Sequence, residues 1–172
     1  TPDTNTLLGE VPEVKNFFVC CGLNSIGIGS GGGVGKVTAE WLMTGHINQD
    51  IFSYDIKRFQ KFHSELGFIK KRITESLGDL YGMHWPFKQH KTSRNIKTLP
   101  YHDDLKSFGA CFGVSGGYER PMWFALDGEV SKYEYSYNYQ NWYPSAEYET
   151  NNTIKNVGLF DLTPFSKFEI KS

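Results

Sequence analysis

The chain has 172 residues, of which 39% are apolar and 22% charged, and its formal net charge is −1. This length suits one compact domain, or one domain with part of another. The near-neutral charge gives no electrostatic basis for binding nucleic acid or an anionic membrane, and no apolar run approaches the roughly 18 residues of a membrane span.

The three cysteines, Cys20, Cys21 and Cys111, are an odd number without Cys-x-x-Cys spacing. We therefore expect buried thiols in a reducing compartment: the cytoplasm, or the mitochondrial matrix in a eukaryote. The five histidines are scattered without paired ligand spacing, so no metal site is expected. The first residue is Thr, which indicates a processed start or a piece of a longer protein.

The first third of the chain predicts a strand, a glycine loop and a helix. Residues 1–13 are turn-like and suggest a hairpin arm, and "VKNFFVCCG" (14–22) is a short apolar run typical of a buried strand. Apolar residues then recur at helical spacing from Val34 to Leu42, with Gly45 as C-cap. We expect this helix to begin near Gly33.

The middle of the chain predicts further helices. A second helix is expected from Asp55, its N-cap, to Leu66, and a third from Phe68 to near Gly82. Residues 84–100 are polar, basic and bounded by prolines, which indicates a surface crossing. A short helix is expected at 102–109.

Beyond Gly109 the pattern changes to strands. We expect strands at 110–114, 119–126 and 133–139, the last from four alternating tyrosines that form one face of a half-buried sheet. A helix capped by Ser145 follows, and then strands at 158–163 and 166–172. Glu119 and Arg120, beside three aromatic rings, are expected to have structural roles. The fold class predicted is α+β.

Seven glycines between Gly22 and Gly35 need a physical reason, because ordering glycine costs more backbone entropy than ordering any other residue. A phosphate-binding P-loop is disfavoured, since Ser30 and Val37 stand where glycine and Ser/Thr are required. Gly27, Gly29 and Gly32 satisfy the dinucleotide fingerprint Gly-x-Gly-x-x-Gly, with Asp50 or Asp55 as the ribose acid. A tight strand-to-helix corner without a ligand is a further alternative.

The remaining possibility is a glycine loop that passes a flat ring system before its helix begins. Backbone N–H groups at a helix N-terminus carry partial positive charge. They would stabilise the negative charge that develops at the pyrimidine end of a reduced flavin, with Asn24 and Ser25 adding polar contacts.

Five segments in the same order resemble the dimethylglycine and sarcosine dehydrogenase family, which includes the regulatory subunits of pyruvate dehydrogenase phosphatase. They are "VKNFFVCCGLNSIGIGSGGGVGKVTAEWLMTG", "YDIKRFQKF", "GGYERPMWF", "QNWY" and "LFDLTPFSKFEIKS". The resemblance implies an internal piece of a longer protein. Residues 1–47 would be the C-terminal part of an FAD-binding oxidoreductase domain, 48–105 a central helical connecting segment, and 106–172 a strand-rich linker with the start of a T-protein-like folate-binding domain.

The resemblance also implies a function for the full-length protein. Hydride from an N-methylated, glycine-type amine would pass to FAD, and the one-carbon unit to tetrahydrofolate. The cofactor-binding residues would be Gly22, Leu23, Asn24, Ser25, Ile26, Gly27, Ile28 and Gly29; no catalytic residue is assigned, and this chain alone should be inactive. The expected partners are the amine, the missing FAD lobe and folate domain, and a second copy in a homo-oligomer.

Two alternatives stay open at this stage. One is a non-catalytic regulatory subunit with the same architecture, and the other is a small stand-alone dinucleotide-binding domain. Flavin reduction by an amine would separate the first alternative from an oxidoreductase, and a response to NAD would favour the second.

Overall fold

The computed structural model describes residues 1–171, which divide into two compact units, one over residues 1–83 and one from residue 84 onward. The first unit contains β1 (Leu7–Glu10), β2 (Phe18–Cys21), α1 (Gly27–Thr44) and α2 (Leu66–Leu80). The second contains α3 (His102–Ser107), β3 (Ala110–Ser115), β4 (Tyr118–Phe124) and α4 (Tyr143–Lys155). The mixture of helices and antiparallel hairpins agrees with the predicted α+β class. None of the helices in residues 1–171 is long and apolar enough to cross a bilayer.

In the first unit, α1 packs on the β1–β2 hairpin through one tryptophan. The strands are antiparallel, with Leu7 opposite Cys21. Gly9 has φ +120°, and a Cβ there would lie 2.7 Å from Cη2 of Trp41. The absent side chain therefore leaves room for the indole, which is 8% exposed and meets the Phe18 ring edge-on at 5.4 Å. This contact fixes the C-terminal half of α1 against the hairpin.

Arg58 joins the N-terminal arm to the segment before α2. Its guanidinium donates to both carboxylate oxygens of Asp3, at 2.7 and 3.1 Å, and to the carbonyls of Asn5 and Tyr54. A bidentate Arg–carboxylate pair of this kind adds geometric specificity to its charge attraction. The arm is thereby tied to the segment at 54–58.

The second unit is built around the antiparallel β3–β4 hairpin. A β-bulge lies between Cys111 and Phe112, and Pro121, which has no N–H to donate, stands opposite Phe112. In the interior of this unit, the guanidinium of Arg94 donates two hydrogen bonds to the carboxylate of Glu119, from Nε to Oε1 at 2.6 Å and from Nη2 to Oε2 at 2.5 Å. Glu119 is only 2% exposed. This ion pair ties the 84–98 segment to β4.

The single second helix predicted from Asp55 to Leu66 is wrong. Two short 3₁₀ helices, Ile56–Arg58 and Lys61–Ser64, stand in its place, separated by extended backbone. Asp55 does cap the first, accepting from the Lys57 N–H at 2.9 Å, and Nδ1 of His63 accepts from the Gln60 N–H at 2.9 Å. These local side-chain bonds stabilise two separate turns instead of one helix.

Several predictions for the second unit are also corrected. Residues 133–139 form no strand; the hydroxyl of Tyr135 accepts from the Gln89 N–H, and that of Tyr137 donates to the His84 carbonyl. Ser145 is not a cap; it lies inside α4 and is fully buried. No strand forms at 158–163 or 166–171, and Ser172 lies outside the described residues.

The buried ion pair generates a stability prediction. Replacing Glu119→Gln leaves Arg94 without its countercharge, which for a buried pair costs about 3–5 kcal/mol. We expect the urea midpoint of the second unit, followed by tryptophan fluorescence, to fall accordingly. Glu129→Gln, at an exposed position, is the control and should leave the midpoint unchanged. Equal midpoints for both variants would contradict the structural role of the pair.

The same carboxyl group predicts a pH dependence. Burial alone would raise the pKa of Glu119, but hydrogen bonds from Arg94 and the Asn95 N–H outweigh it and leave the pKa lowered. The stabilisation is therefore fully present above the pKa of an unfolded glutamate, about 4.3, and is lost as the pH falls through the lower folded value. Urea titrations between pH 6 and about 3 should show this loss in the wild type and a shallower one in Glu119→Gln.

Candidate functional site

The eight candidate residues, 22–29, form the corner between β2 and α1. Gly22 has φ +64°, and two non-glycine residues, Asn24 and Ser25, also have left-handed backbones with φ +43° and +68°. A Cβ at Gly22 would lie 2.6 Å from Cγ2 of Thr1, so that position needs glycine. The chain is thus held in a sharp, sterically unusual turn, the kind of backbone that is found at binding sites.

Two side chains of the corner are engaged within the chain. The amide nitrogen of Asn24 donates to the Thr4 carbonyl at 2.5 Å and to the Thr1 hydroxyl at 2.9 Å. The Ser25 hydroxyl accepts from the phenol of Tyr81 at 2.9 Å. These bonds anchor the corner to the arm and to the end of α2. Asn24 therefore acts here as a support for the loop.

Helix α1 begins at Gly27, six residues before the predicted start at Gly33. Its N-cap is Ile26, and within the described residues no side chain caps it and no acidic residue lies in its first turn. The first intrahelical bond runs from the Ser30 N–H to the Ile26 carbonyl. The amides of Gly27, Ile28 and Gly29 therefore form the uncapped positive end of the helix dipole, equivalent to about half an elementary charge.

The surface around this helix end is apolar and open. Ile28 is completely exposed and Ile26 is 56% exposed. A Cβ built on Gly29 would meet no atom within 4 Å, and the same holds for four other glycines of the helix: Gly31, Gly32, Gly33 and Gly35. Contacts inside this chain thus account for none of these five glycines.

The energetic cost of those glycines is considerable. Each glycine in a helix interior destabilises it by about 0.8–1 kcal/mol relative to alanine. With six glycines, α1 carries roughly 5 kcal/mol of unfavourable propensity. Such a helix requires compensation by contacts beyond those seen here. A corner sealed inside a finished core, the arrangement that would have excluded a ligand, is not what the structure contains.

The two nucleotide-binding alternatives do not fit this geometry. Gly27, Gly29 and Gly32 all lie inside α1, whereas the dinucleotide fingerprint places its first glycines in the turn between strand and helix. Lys36, the lysine of the P-loop alternative, lies in the middle of the helix and forms an i,i+4 pair with Glu40. A flat ring system fits better, since it would present both an apolar face to Ile26 and Ile28 and hydrogen-bond acceptors to the amides.

A cavity of about 890 Å³ adjoins the other side of the same corner. It is lined by Cys21 and Gly22 and by Phe59, His63 and Ile69 among others. Burial lowers the pKa of His63, and its ring stacks on Phe62 at 4.0 Å. The place of His63 in this cavity depends on the 3₁₀ helix Lys61–Ser64, which the helical spacing of residues 55–66 does not predict.

Comparison with known proteins finds similarity to FAD-dependent oxidoreductases. Residues 44–98 match the FAD dependent oxidoreductase central domain. The chain is 42% identical over 170 residues to 4-methylaminobutanoate oxidase (formaldehyde-forming) of Paenarthrobacter nicotinovorans, covering 99% of this chain and 21% of that protein.

Two mouse mitochondrial proteins are each 34% identical to the chain. They are the pyruvate dehydrogenase phosphatase regulatory subunit, matched over 100% of this chain and 20% of its own length, and sarcosine dehydrogenase, matched over 95% and 18%. The chain thus spans about a fifth of the length of the curated relatives it matches.

These matches confirm the resemblance stated from the sequence, while the boundaries 1–47, 48–105 and 106–172 stay predictions. The chain is homologous to the FAD-dependent oxidoreductases that include the sarcosine and dimethylglycine dehydrogenases, and residues 44–98 are its FAD-dependent oxidoreductase central domain.

Proposed function

We propose that this chain belongs to an FAD-dependent oxidoreductase that oxidises an N-methylated amine, and that the corner 22–29 contacts the flavin. The observation that carries the proposal is the uncapped, glycine-rich start of α1, flanked by exposed isoleucines. The whole protein supplies the rest of the flavin site.

Each part of the corner has a role in this proposal. The amides of Gly27, Ile28 and Gly29 donate hydrogen bonds to the pyrimidine end of the ring and stabilise the negative charge of its reduced form. Gly29, where a Cβ would point into open space, allows close approach. Asn24, bonded to the arm, keeps these amides in place before the cofactor binds.

When bound, FAD supplies the hydride acceptor. Loss of hydride from the N-methyl carbon leaves an iminium ion of the substrate. Water then releases formaldehyde and the demethylated amine, or tetrahydrofolate takes the one-carbon unit as its methylene derivative and releases the same amine. The relative named as formaldehyde-forming supports the first route for that protein. For this protein we propose folate as the acceptor, as the family resemblance implies.

Names of the relatives support a methylated amino acid as the substrate class, since 4-methylaminobutanoate, sarcosine and dimethylglycine share an N-methyl group and a carboxylate. We further propose a location in the cytoplasm, or in the mitochondrial matrix if the source is eukaryotic, because relatives such as sarcosine dehydrogenase and dimethylglycine dehydrogenase of mouse are named mitochondrial.

A regulatory subunit without amine oxidation is the second candidate function. It is favoured by the 34% identity to the pyruvate dehydrogenase phosphatase regulatory subunit over the whole chain. Both candidates use the same flavin-contacting corner, so the corner alone does not separate them.

We predict that Gly29→Ala has opposite effects in two settings. In the 172-residue chain it should raise the free energy of unfolding by about 0.8–1 kcal/mol, because alanine is the better helix former and its Cβ meets open space. In the full-length protein it should weaken FAD binding about tenfold or more, since the methyl group would intrude on the ring. Chemical denaturation and flavin fluorescence titration measure the two effects.

The control is Gly67→Ala in α2, where a Cβ also meets nothing within 4 Å. It should stabilise the helix similarly without changing FAD affinity. Equal FAD affinity for Gly29→Ala, Gly67→Ala and wild type would contradict the placement of the flavin at this corner.

For the full-length protein we predict anaerobic bleaching of the flavin absorbance near about 450 nm by sarcosine, dimethylglycine or 4-methylaminobutanoate. The corresponding amine without an N-methyl group is the control and should leave the spectrum unchanged. A protein that binds FAD but is not reduced by any of the three amines would contradict the oxidoreductase proposal and favour the regulatory subunit.

A further inference from the structure

The outer edge of β2 presents backbone groups that have no partner. The Leu8 N–H donates to the Tyr54 carbonyl at 2.9 Å, on the side of β1 away from β2. Leu8 and its opposite residue Cys20 therefore form a non-hydrogen-bonded pair of the antiparallel ladder, and Cys20 directs its N–H and C=O outward. Because hydrogen-bonded and non-hydrogen-bonded pairs alternate along the ladder, Phe18 also directs its N–H and C=O outward. Within residues 1–171 these four groups make no hydrogen bond.

The other strand edges of the described residues have hydrogen-bonding partners at several positions. The outer edge of β1 meets the 54–55 segment through Leu8. On β3, the Val114 N–H donates to Oε1 of Gln89, and the Phe112 carbonyl accepts from Arg94. On β4, the Phe124 N–H donates to Oε1 of Glu149 at 2.8 Å, and the Glu119 N–H donates to the Lys97 carbonyl at 2.8 Å. Each of these three edges thus has hydrogen-bonding partners within residues 1–171, whereas the outward groups of Phe18 and Cys20 have none there.

The composition of β2 is that of an inner strand. The run Phe17-Phe18-Val19-Cys20-Cys21 is apolar on both faces, and the strand contains no lysine, proline or bulge of the kind that protects natural edges. Phe17 is nevertheless 53% exposed, and both cysteines are exposed. Continuous apolar runs are typical of strands in parallel sheets that are covered on both faces.

We propose that the outer edge of β2 binds a parallel, apolar β-strand contributed by the part of the polypeptide outside these 172 residues. The alternating N–H and C=O groups of Phe18 and Cys20 require a strand as the occupant. The β2–loop–α1 sequence is the first half of the crossover that joins parallel strands. Relatives about five times as long as this chain supply ample polypeptide for it. This inference depends on neither the amine nor the flavin.

Amide hydrogen exchange, resolved to single residues, tests the proposal. In the 172-residue chain, the inward amides of Val19 and Cys21 should be protected, while those of Phe18 and Cys20 should exchange at rates near those of unstructured peptide. In the full-length protein without FAD, Phe18 and Cys20 should exchange at least about a hundredfold more slowly. Unchanged rates at these two amides in the full-length protein would overturn the proposal.

A pair of proline variants gives an independent test. Cys20→Pro removes an outward N–H and should leave exchange at Gly9 unchanged in the 172-residue chain, but should abolish the added protection of Phe18 in the full-length protein. Val19→Pro removes an inward N–H and should expose Gly9 in both. A different outcome would show that the proposal is wrong. If the amides of Phe18 and Cys20 exchange slowly in the 172-residue chain, and this chain is a dimer in sedimentation equilibrium, then the edge of β2 pairs with a second copy.

Discussion

The first unit contains backbone amides that have no hydrogen-bonding partner within residues 1–171, and the proposals made for this unit depend on them. They lie at two adjoining places, the first turn of α1 and the outer edge of β2. Buried backbone donors in folded proteins are almost always paired, so such groups must meet water, ligand or further polypeptide. Five glycines of α1, those from Gly29 to Gly35, add to the same requirement, because they weaken the helix without serving any contact in this chain. The first unit therefore leaves backbone groups and a glycine-rich helix face open to further contacts, which agrees with the flavin contact that we propose.

In the second unit, by contrast, many polar groups of the β3–β4 hairpin have hydrogen-bonding partners. Glu119 accepts from Arg94 and from the Asn95 N–H, and side chains cover both edges of β3 and β4. Its apolar end beyond α4 is open instead: Leu159 is completely exposed and Ile170 is 94% exposed. The second unit thus combines a hydrogen-bonded hairpin with exposed apolar residues after α4.

The sequence predicted those elements whose stability is local. The strand ending at Cys21, the helix ending at Gly45, the helix after Phe68 and the two strands around 110–124 all form, with shifted ends. The helix predicted from Asp55 and the strand predicted at 133–139 are wrong for a shared reason. In both segments side chains make individual hydrogen bonds that leave no periodic pattern in the sequence. The Gln60 N–H donates to the His63 side chain, in the short 3₁₀ turn that replaces the predicted helix. In the 133–139 segment, the hydroxyls of Tyr135 and Tyr137 bond to the backbone of residues 89 and 84.

The sequence predicted a glycine-rich corner between a strand and a helix, and the structure has that corner, while its contact with flavin stays a prediction. Glycine content identified the corner 22–29, since a tight turn or the close approach of a ligand is what usually requires bare backbone. The six-residue error in the start of α1 arose because glycines carry no apolar periodicity. The Asp3–Arg58 pair and the support that Thr4 gives Asn24 join residues far apart in the chain, and no local pattern signals them.

A crystal structure of the full-length protein grown with FAD would test directly whether the corner contacts the flavin. We predict that at least one amide among Gly27, Ile28 and Gly29 lies within about 3 Å of an oxygen or nitrogen at the pyrimidine end of the flavin. A structure in which these amides contact only protein, with the ring bound elsewhere, would contradict it.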